Sequence, residues 1–360
     1  MNTKLVYALT CDECGTYIEQ ALISIFSARY HNPQAHIVLL TDNKTNQLLV
    51  DKRGEINTLI TEKIVIDFED DTLSALYRSR WLKTSARRLV RGDLLYIDCD
   101  TVIQRSLDDI DQVDGDMVMV YDAHMTVAEY TPEMFDLSVE NCAKLGFDAT
   151  SERYYYNGGV ILVKDSEIGN KLFDLWHEEW KKGTEIQFYG DEPSLMKSNA
   201  LLGYVITRLS DEWNCQVFMS PLFMPNSYIL HYWCLKNRSF IFAPKYLQYI
   251  KMNGLTDYAK ETILHSTDSM LPFVNYYSTY KLEDYLSMPM KYGKVFKDYA
   301  KNIDPIFEQF PLLMVMSKLE KKLLLRGFFY LVSISIMMRN LVKYKVLRRG
   351  INRSVITCAP

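Results

Sequence analysis

The chain has 360 residues, enough for one large or two ordinary domains. Hydrophobic residues make up 48% and charged residues 24%, which is typical of a globular protein with a substantial core and argues against disorder. The net charge of −4 gives no reason to expect a nucleic-acid partner. Seven cysteines without regular spacing do not make a disulfide framework, and the N-terminus lacks the apolar core of a signal peptide. We therefore expect a cytoplasmic protein.

Short apolar runs and helical periodicities alternate along the first half of the chain. Strands are predicted over residues 4–9, 35–40 and 62–66, with helices over 18–30 and 75–90. Further strands are predicted over 94–97, 116–121 and 159–163, with helices over 168–182 and 192–199. This alternation indicates an α/β domain with a mostly parallel central sheet flanked by helices.

The stretch Leu94 to Val102 is the most informative in the chain. Four apolar residues predict a buried strand, and two acids, Asp98 and Asp100, follow at its end. Residues two apart on a strand point the same way, so both carboxylates could face one ligand. Two oxygen donors at a strand end suit Mg²⁺ or Mn²⁺, which usually bind together with substrate phosphates. The alternative is a strand that ends in a solvated turn, where Asp is common.

The last part of the chain differs from the rest. Residues 318–353 contain ten Lys or Arg and a single acid, Glu320. The charge-free run over 327–338 is twelve residues, well short of the roughly 20 that a spanning helix needs. Basic flanks around an apolar centre favour a helix that lies on an anionic membrane surface. The alternative is an apolar helix packed on the main domain.

Several motifs follow one another in an order that is more specific than any one of them. They are Thr10-Cys11-Asp12, Arg80 with Lys83, Asp98-Cys99-Asp100, Asn157-Gly158-Gly159, Asp191-Glu192, Trp213-Asn214, and His265 with Pro272-Phe273. This arrangement resembles the glycosyltransferases of the glycogenin and lipopolysaccharide-galactosyltransferase family (family 8) over roughly residues 4–285. The resemblance implies a GT-A (Rossmann-like) fold and a nucleotide-sugar donor, often a UDP-sugar.

The resemblance also implies a metal site. Asp98 would face the donor ribose and the metal, Asp100 would bind the metal directly, and a late histidine would be the third ligand. His265 matches that position, because it is expected to close an apolar strand ahead of Pro272. His231 is the competing candidate. A lone histidine beside aromatic residues is more often a packed residue than a ligand, so we rank His265 first.

Further roles come from the same resemblance. Asp191 and Asn157 would contact the donor sugar, and Glu192, where the family has Gln, could act as a nucleophile or stabilise oxocarbenium charge. Their structural alternatives are helix capping, the helix dipole and a turn. The remaining donor-binding candidates are Thr10 and Asp12 at the nucleobase and ribose, and Arg80 and Lys83 at phosphate or sugar.

The chain departs from the family pattern after His265. Asp268 and Leu271 stand where the family has Gly and Lys, so another cation would have to neutralise the donor phosphate. One alternative is therefore a catalytically degenerate sugar-binding or scaffold protein. The other is a nucleotidyltransferase, but the acidic segment from Cys11 to Cys14 would repel a triphosphate.

From these patterns we expect a GT-A domain over residues 1–285 and a helical, membrane-surface extension over 286–360. The predicted enzyme is a retaining hexosyltransferase that uses a UDP-sugar and Mn²⁺ or Mg²⁺. Its acceptor would be a saccharide or a lipid-linked saccharide. A basic, apolar tail suits work at the inner face of a bacterial membrane, in the synthesis of capsule, O-antigen or lipooligosaccharide.

Overall fold

A seven-stranded sheet in the order β3-β2-β1-β4-β7-β6-β8 organises the chain. The structure is a computed structural model that describes residues 1–130, 132–217, 226–233 and 241–268. The strands of this sheet are β1 (Lys4–Leu9), β2 (Ile37–Asp42), β3 (Glu62–Ile66), β4 (Leu94–Ile97), β6 (Met117–Tyr121), β7 (Tyr156–Val163) and β8 (Ile206–Arg208). A second sheet, in the order β5-β10-β9, consists of β5 (Thr101–Ile103), β9 (Cys215–Gln216) and β10 (Ile229–His231).

Helices cover the sheet and supply one wall of its carboxyl edge. They are α1 (Tyr17–His31), α2 (Asn43–Gln47), α3 (Ile56–Leu59), α4 (Ala75–Thr84), α5 (Ala86–Leu89), α6 (Pro132–Ala143), α7 (Glu167–Glu185), α8 (Asp191–Leu201), α9 (Pro244–Asn253) and α10 (Asp257–Asp268). No helix within these described ranges is long and apolar enough to cross a membrane.

Both faces of the sheet are buried at its central strands, which explains their continuous apolar runs. In β1, Leu5 and Tyr7 belong to one hydrophobic cluster, whereas Val6 and Ala8 belong to the other. Successive strand residues point to opposite faces, so each central strand contributes to two cores. The predicted α/β class with a mainly parallel sheet is confirmed: β1 to β4 pair in parallel, as do β6 and β8, and β7 alone runs antiparallel to its neighbours in this sheet.

Three local predictions need correction. The acids Asp98 and Asp100 lie in a turn between β4 and β5 rather than on a strand, and the Thr101 hydroxyl closes that turn by donating to the Asp98 carbonyl at 2.9 Å. The helix expected over 75–90 is interrupted at Ser85. The strand expected to end at His265 is helix α10.

The predicted C-terminal extension, residues 286–360, lies outside the described residues, as does Pro272. The division at residue 285 therefore stays a prediction.

Candidate active site

A cleft of about 700 Å³ opens at the carboxyl ends of β1 and β4. The antiparallel strand β7 begins at this same edge, since Asp98 donates its backbone N–H to the Gly159 carbonyl at 2.8 Å. Ten of the polar residues that line the cleft are Thr10, Arg80, Lys83, Asp98, Asp100, Asp122, Asn157, Asp191, Glu192 and His231. Eight of these ten were predicted as site residues from the sequence; Asp122 was not, and His231 was ranked second.

Asp98, Asp100 and His231 form a group with metal-ligand geometry. Each offers one ligand atom, and these atoms all lie within 4.8 Å of one another. Strand pairing creates the group, because β10 runs antiparallel to β5 with His231 opposite Thr101, the residue after Asp100. The histidine Nε2 lies 3.4 Å from Oδ1 of Asp100.

The chemistry of this group fits a divalent cation. Nε2 of His231 is buried and makes no hydrogen bond with the residues that the structure describes. A buried lone pair beside a buried carboxylate is unfavourable unless a cation lies between them. Two carboxylates and a neutral imidazole with a free lone pair would provide three protein ligands for such an ion.

Two other protein groups hold the Asp98 side chain in place. The Tyr96 hydroxyl donates to its Oδ1 at 2.9 Å, and Nζ of Lys83 lies 3.5 Å from its Oδ2. Burial raises the pKa of Tyr96 well above its usual value, so the phenol keeps the proton that it donates. Asp98 is therefore oriented before any ligand arrives.

Two cations converge on Asp191 at the start of α8. Nε of Arg80 lies 3.0 Å from its Oδ1, and Nζ of Lys83 lies 2.9 Å from its Oδ2. Burial opposes ionisation of Asp191, but the two cations outweigh it and hold its pKa at about 2. Burial also disfavours the charged form of Lys83, yet Asp191 and Asp98 raise its pKa overall. All these groups therefore stay charged at neutral pH.

Glu192 behaves in the opposite way. Its Oε1 accepts the Gly158 N–H at 3.1 Å, but burial raises its pKa to about 8, and the nearby acids Asp122 and Asp191 add to the shift. Asp122 follows β6 directly, and burial raises its pKa too. Because β6 ends at the same edge as β4, an acid immediately after this strand was the signal that could have revealed Asp122.

Asn157 lies inside β7 rather than in a turn before it. Its Nδ2 donates to Oδ1 of Asp122 at 3.1 Å, and its Oδ1 accepts from Nδ2 of Asn214 at 2.9 Å and from the Gly159 N–H at 3.0 Å. Most of its hydrogen-bonding capacity is thus used within the protein.

The two residues that follow β1 differ in exposure. Thr10 is buried at the wall of the cleft, where its hydroxyl donates to the Ala75 carbonyl at 2.8 Å. The Asp12 side chain is 72% exposed and lies 3.4 Å from the buried guanidinium of Arg78, which also pairs with Asp42. The structure therefore brings Thr10 to the cleft wall and leaves Asp12 at the surface beside Arg78.

His265 lies near the end of α10, and its side chain is outside what the structure describes. Within the described ranges, the histidine that reaches Asp98 and Asp100 is His231. The register of β10 against β5 brings it there, and that pairing cannot be read from the local sequence.

Comparison with known proteins gives matches among solved structures only; no family model and no curated protein matches the chain. The galactosyltransferase LgtC, crystallised with donor and acceptor sugar analogs, is 17% identical, with a TM-score of 0.42 over 64% of this chain and 87% of that one. The glycosyltransferase GlyE of Streptococcus pneumoniae is 20% identical, with a TM-score of 0.37 over 64% of this chain and 55% of that one. Mouse xyloside xylosyltransferase 1 is 11% identical, with a TM-score of 0.42 over 64% of this chain and 97% of that one. All three similar structures are glycosyltransferases.

Proposed function

We propose that the protein is a metal-dependent glycosyltransferase of the family 8 type, which moves a hexose from a UDP-sugar to a saccharide or lipid-linked saccharide. One observation carries the proposal: a three-ligand metal group and an ion-paired Asp191 share a single cleft at the carboxyl ends of parallel strands. The order of motifs from Thr10 to Asp191 supports the same assignment. The metal group suits a diphosphate, and the carboxylate suits sugar hydroxyls.

The metal ligands favour Mn²⁺ as the ion, with Mg²⁺ as the second choice. Asp98 and Asp100 supply carboxylates, which suit both ions, whereas the imidazole of His231 suits a transition metal better than Mg²⁺. When bound, the ion would offset charge on the donor diphosphate as a Lewis acid and hold it in one pose. The protein's part is to place three ligand atoms within 4.8 Å of one another before the donor enters.

Asp191 is proposed to bind the hydroxyls of the donor sugar. It is ionised, and Arg80 and Lys83 fix its orientation. Arg80 pairs through Nε and its side chain is 31% exposed, so its terminal nitrogens can meet donor phosphate. We assign Arg80 and Lys83 the charge compensation that Leu271 does not supply.

Glu192 is proposed to act on the reacting carbon of the donor. As the C1–O bond breaks, its electron pair leaves with the β-phosphate oxygen, and the ionised Glu192 carboxylate bonds to C1 or stabilises the positive charge there. On the covalent route, the acceptor hydroxyl oxygen then bonds to C1 as the C1–carboxylate bond breaks, and the hydroxyl proton passes to the released diphosphate. These two inversions at C1 give retention. Asn157 would hold the adjoining backbone, including the Gly158 N–H that contacts Glu192.

Thr10 and Asp12 are proposed to border the nucleobase and ribose of the donor, since both follow β1 at this edge. Work at the inner face of a bacterial membrane, in surface polysaccharide synthesis, is proposed from the basic tail alone. His265 remains an alternative third metal ligand, and His231 is the one that we favour.

Thermal melts with a panel of UDP- and GDP-sugars test the donor assignment. We expect UDP and one UDP-sugar to raise the Tm in Mn²⁺ but not in EDTA, because the diphosphate binds through the metal. GDP-sugars should have little effect. If no nucleotide or nucleotide sugar shifts the Tm in either buffer, the proposed donor class is wrong.

A further inference from the structure

A chain of side-chain hydrogen bonds runs from Asp122 to the proposed metal ligand His231. Asn157 donates to Asp122, Asn214 donates to Asn157, and Oδ1 of Asn214 meets Nδ1 of His231 at 2.9 Å. All four residues are buried or line the cleft. The link to His231 is therefore shielded from water.

The direction of every bond in this chain can be deduced. The Gly159 backbone can only donate, and it donates to Oδ1 of Asn157, so the orientation of the Asn157 amide is fixed. That oxygen also faces Asn214, which must present its NH₂ there. Its carbonyl oxygen must then face His231 and can only accept.

Nδ1 of His231 must therefore carry a proton. In a neutral imidazole the other nitrogen, Nε2, then keeps its lone pair. Nε2 is the atom that lies 3.4 Å from Oδ1 of Asp100. The hydrogen-bond chain thus selects the tautomer that turns a ligand lone pair toward the two carboxylates.

The surroundings of Asn214 hold this residue in a fixed position, from which it can orient His231. It ends the 3₁₀ turn Asp211–Asn214 and is fully buried. The adjacent Trp213 stacks on Tyr228 with ring centroids 3.9 Å apart and planes 2° from parallel. A side chain held in this way lowers the cost of placing the histidine ring.

We propose that Asn214 is a positioning residue for metal binding, which fixes the tautomer and ring orientation of His231 and does not itself bind the ion. The inference rests on the metal site of the proposed function. It extends that function to Asn214, for which the sequence predicted no role. If Asn214 acts only through His231, substitution of Asn214 should no longer change the metal affinity once His231 has been removed.

A double-mutant cycle on Mn²⁺ affinity, measured by calorimetry without donor, tests the proposal. Asn214→Ala should weaken Mn²⁺ binding roughly 10- to 100-fold. His231→Ala should weaken it at least as much, and the double variant should bind like His231→Ala alone. Asn199→Ala is the matched control, because Asn199 is also buried and bonded, to the Ile206 N–H at 3.0 Å. It should keep wild-type affinity.

Two further variants distinguish loss of the hydrogen-bond acceptor at position 214 from a general effect on folding. Asn214→Asp retains an acceptor for the Nδ1 proton and should bind Mn²⁺ within a few-fold of wild type, whereas Asn214→Leu should resemble Asn214→Ala. Wild-type affinity in Asn214→Leu, or losses that add in the double variant, would overturn the role of Asn214. A wild-type chain that binds neither Mn²⁺ nor Mg²⁺ would overturn the metal site itself.

Discussion

Gly159 lies where β7 passes the ring of His231, and no larger residue fits there. A Cβ at this position would lie 2.1 Å from Cε1 and 2.6 Å from Nδ1 of the histidine. Because the contact is with a ring that must stay in place, Gly159→Ala should displace His231 and weaken Mn²⁺ affinity roughly 10-fold or more, measured by calorimetry.

Gly146→Ala is the control for this change. Gly146 has a φ of +68° and nothing within 4 Å of an added Cβ, so the substitution should cost about 1–2 kcal/mol of stability. Its Mn²⁺ affinity should stay at the wild-type value. If Gly159→Ala binds Mn²⁺ as well as this control does, the ring of His231 is not a ligand.

The protonation of Glu192 leads to a pH prediction. Its pKa of about 8 means that the carboxylate forms only as the pH rises through that value. If the carboxylate acts at C1, kcat/KM should rise with pH with an apparent pKa near 8. Glu192→Gln, which has no ionisable group at this position, should remove the rise.

Glu185→Gln, at the exposed end of α7, should keep both the rate and its rise with pH. A wild-type profile without this rise, or a Glu192→Gln variant that retains it, would exclude an ionised Glu192 from the reaction.

The sequence predicted most residues of the candidate site, but it did not predict which residues far apart in the chain come into contact there. Asp98 and Asp100 are two residues apart in the chain, so a joint role could be predicted from their spacing alone. His231 is more than a hundred residues away and reaches them through the β5–β10 pairing. This long-range register leaves no local signal, whereas the acid directly after β6 was a local signal for Asp122 that could have been used.

Helices and strands could be predicted from the sequence where one pattern of apolar residues dominated the segment. Strand β1 has the expected bounds, because a run of apolar residues between polar segments is typical of a buried strand. Strand β3 also has the expected bounds, although it begins with the exposed residues Glu62 and Lys63. The interruption at Ser85 has a tertiary cause. There the hydroxyls of Thr84 and Ser85 lie 2.8 and 3.2 Å from Nδ1 of His177 on α7, and the helix restarts as α5.

His177 makes this helix junction sensitive to acid. Burial lowers its pKa from 6.5 to about 4, because the charged ring would lose water in the folded protein. Below pH 6.5, His177 therefore binds a proton in the unfolded chain, whereas in the folded protein it binds one only as the pH approaches 4. Stability should fall between pH 6.5 and 4, by up to about 3 kcal/mol at about 1.4 kcal/mol per pKa unit.

Urea unfolding at pH 7.5 and at pH 5 measures this effect. His177→Gln should be less stable than wild type at pH 7.5 but should lose less stability on acidification. An equal loss in both proteins would show that His177 does not cause the acid sensitivity.

At the scale of the whole molecule, charge is concentrated in two places. The cleft gathers more acids than cations among the residues that the structure describes. The acids are Asp98, Asp100, Asp122, Asp191 and Glu192, and the cations are Arg80 and Lys83. If the donor is a nucleotide sugar as proposed, this excess of acids would oppose binding of its diphosphate, and a divalent cation would offset the repulsion. The C-terminal sequence is basic instead.

This basic tail leads to a membrane prediction. The full chain should sediment with vesicles that contain phosphatidylglycerol at low salt, and less so as salt is raised. Replacing Arg339, Lys343 and Lys345 by Gln should weaken binding by about 3 kcal/mol, at about 1 kcal/mol for each charge. Pure phosphatidylcholine vesicles are the control. Equal binding to both vesicle types would contradict a peripheral, electrostatic attachment.

A metal held in this cleft is proposed to activate a nucleotide sugar. UDP release from UDP-sugars with Mn²⁺ or EDTA tests this, comparing wild type with Asp100→Ala and with the surface control Asp174→Ala. We expect one UDP-sugar to be turned over by wild type and the control in Mn²⁺, and the rate to fall roughly 10³-fold in EDTA or in Asp100→Ala. UDP release that is unaffected by EDTA and by Asp100→Ala, or donor binding without any turnover, would exclude metal-dependent sugar transfer in this cleft.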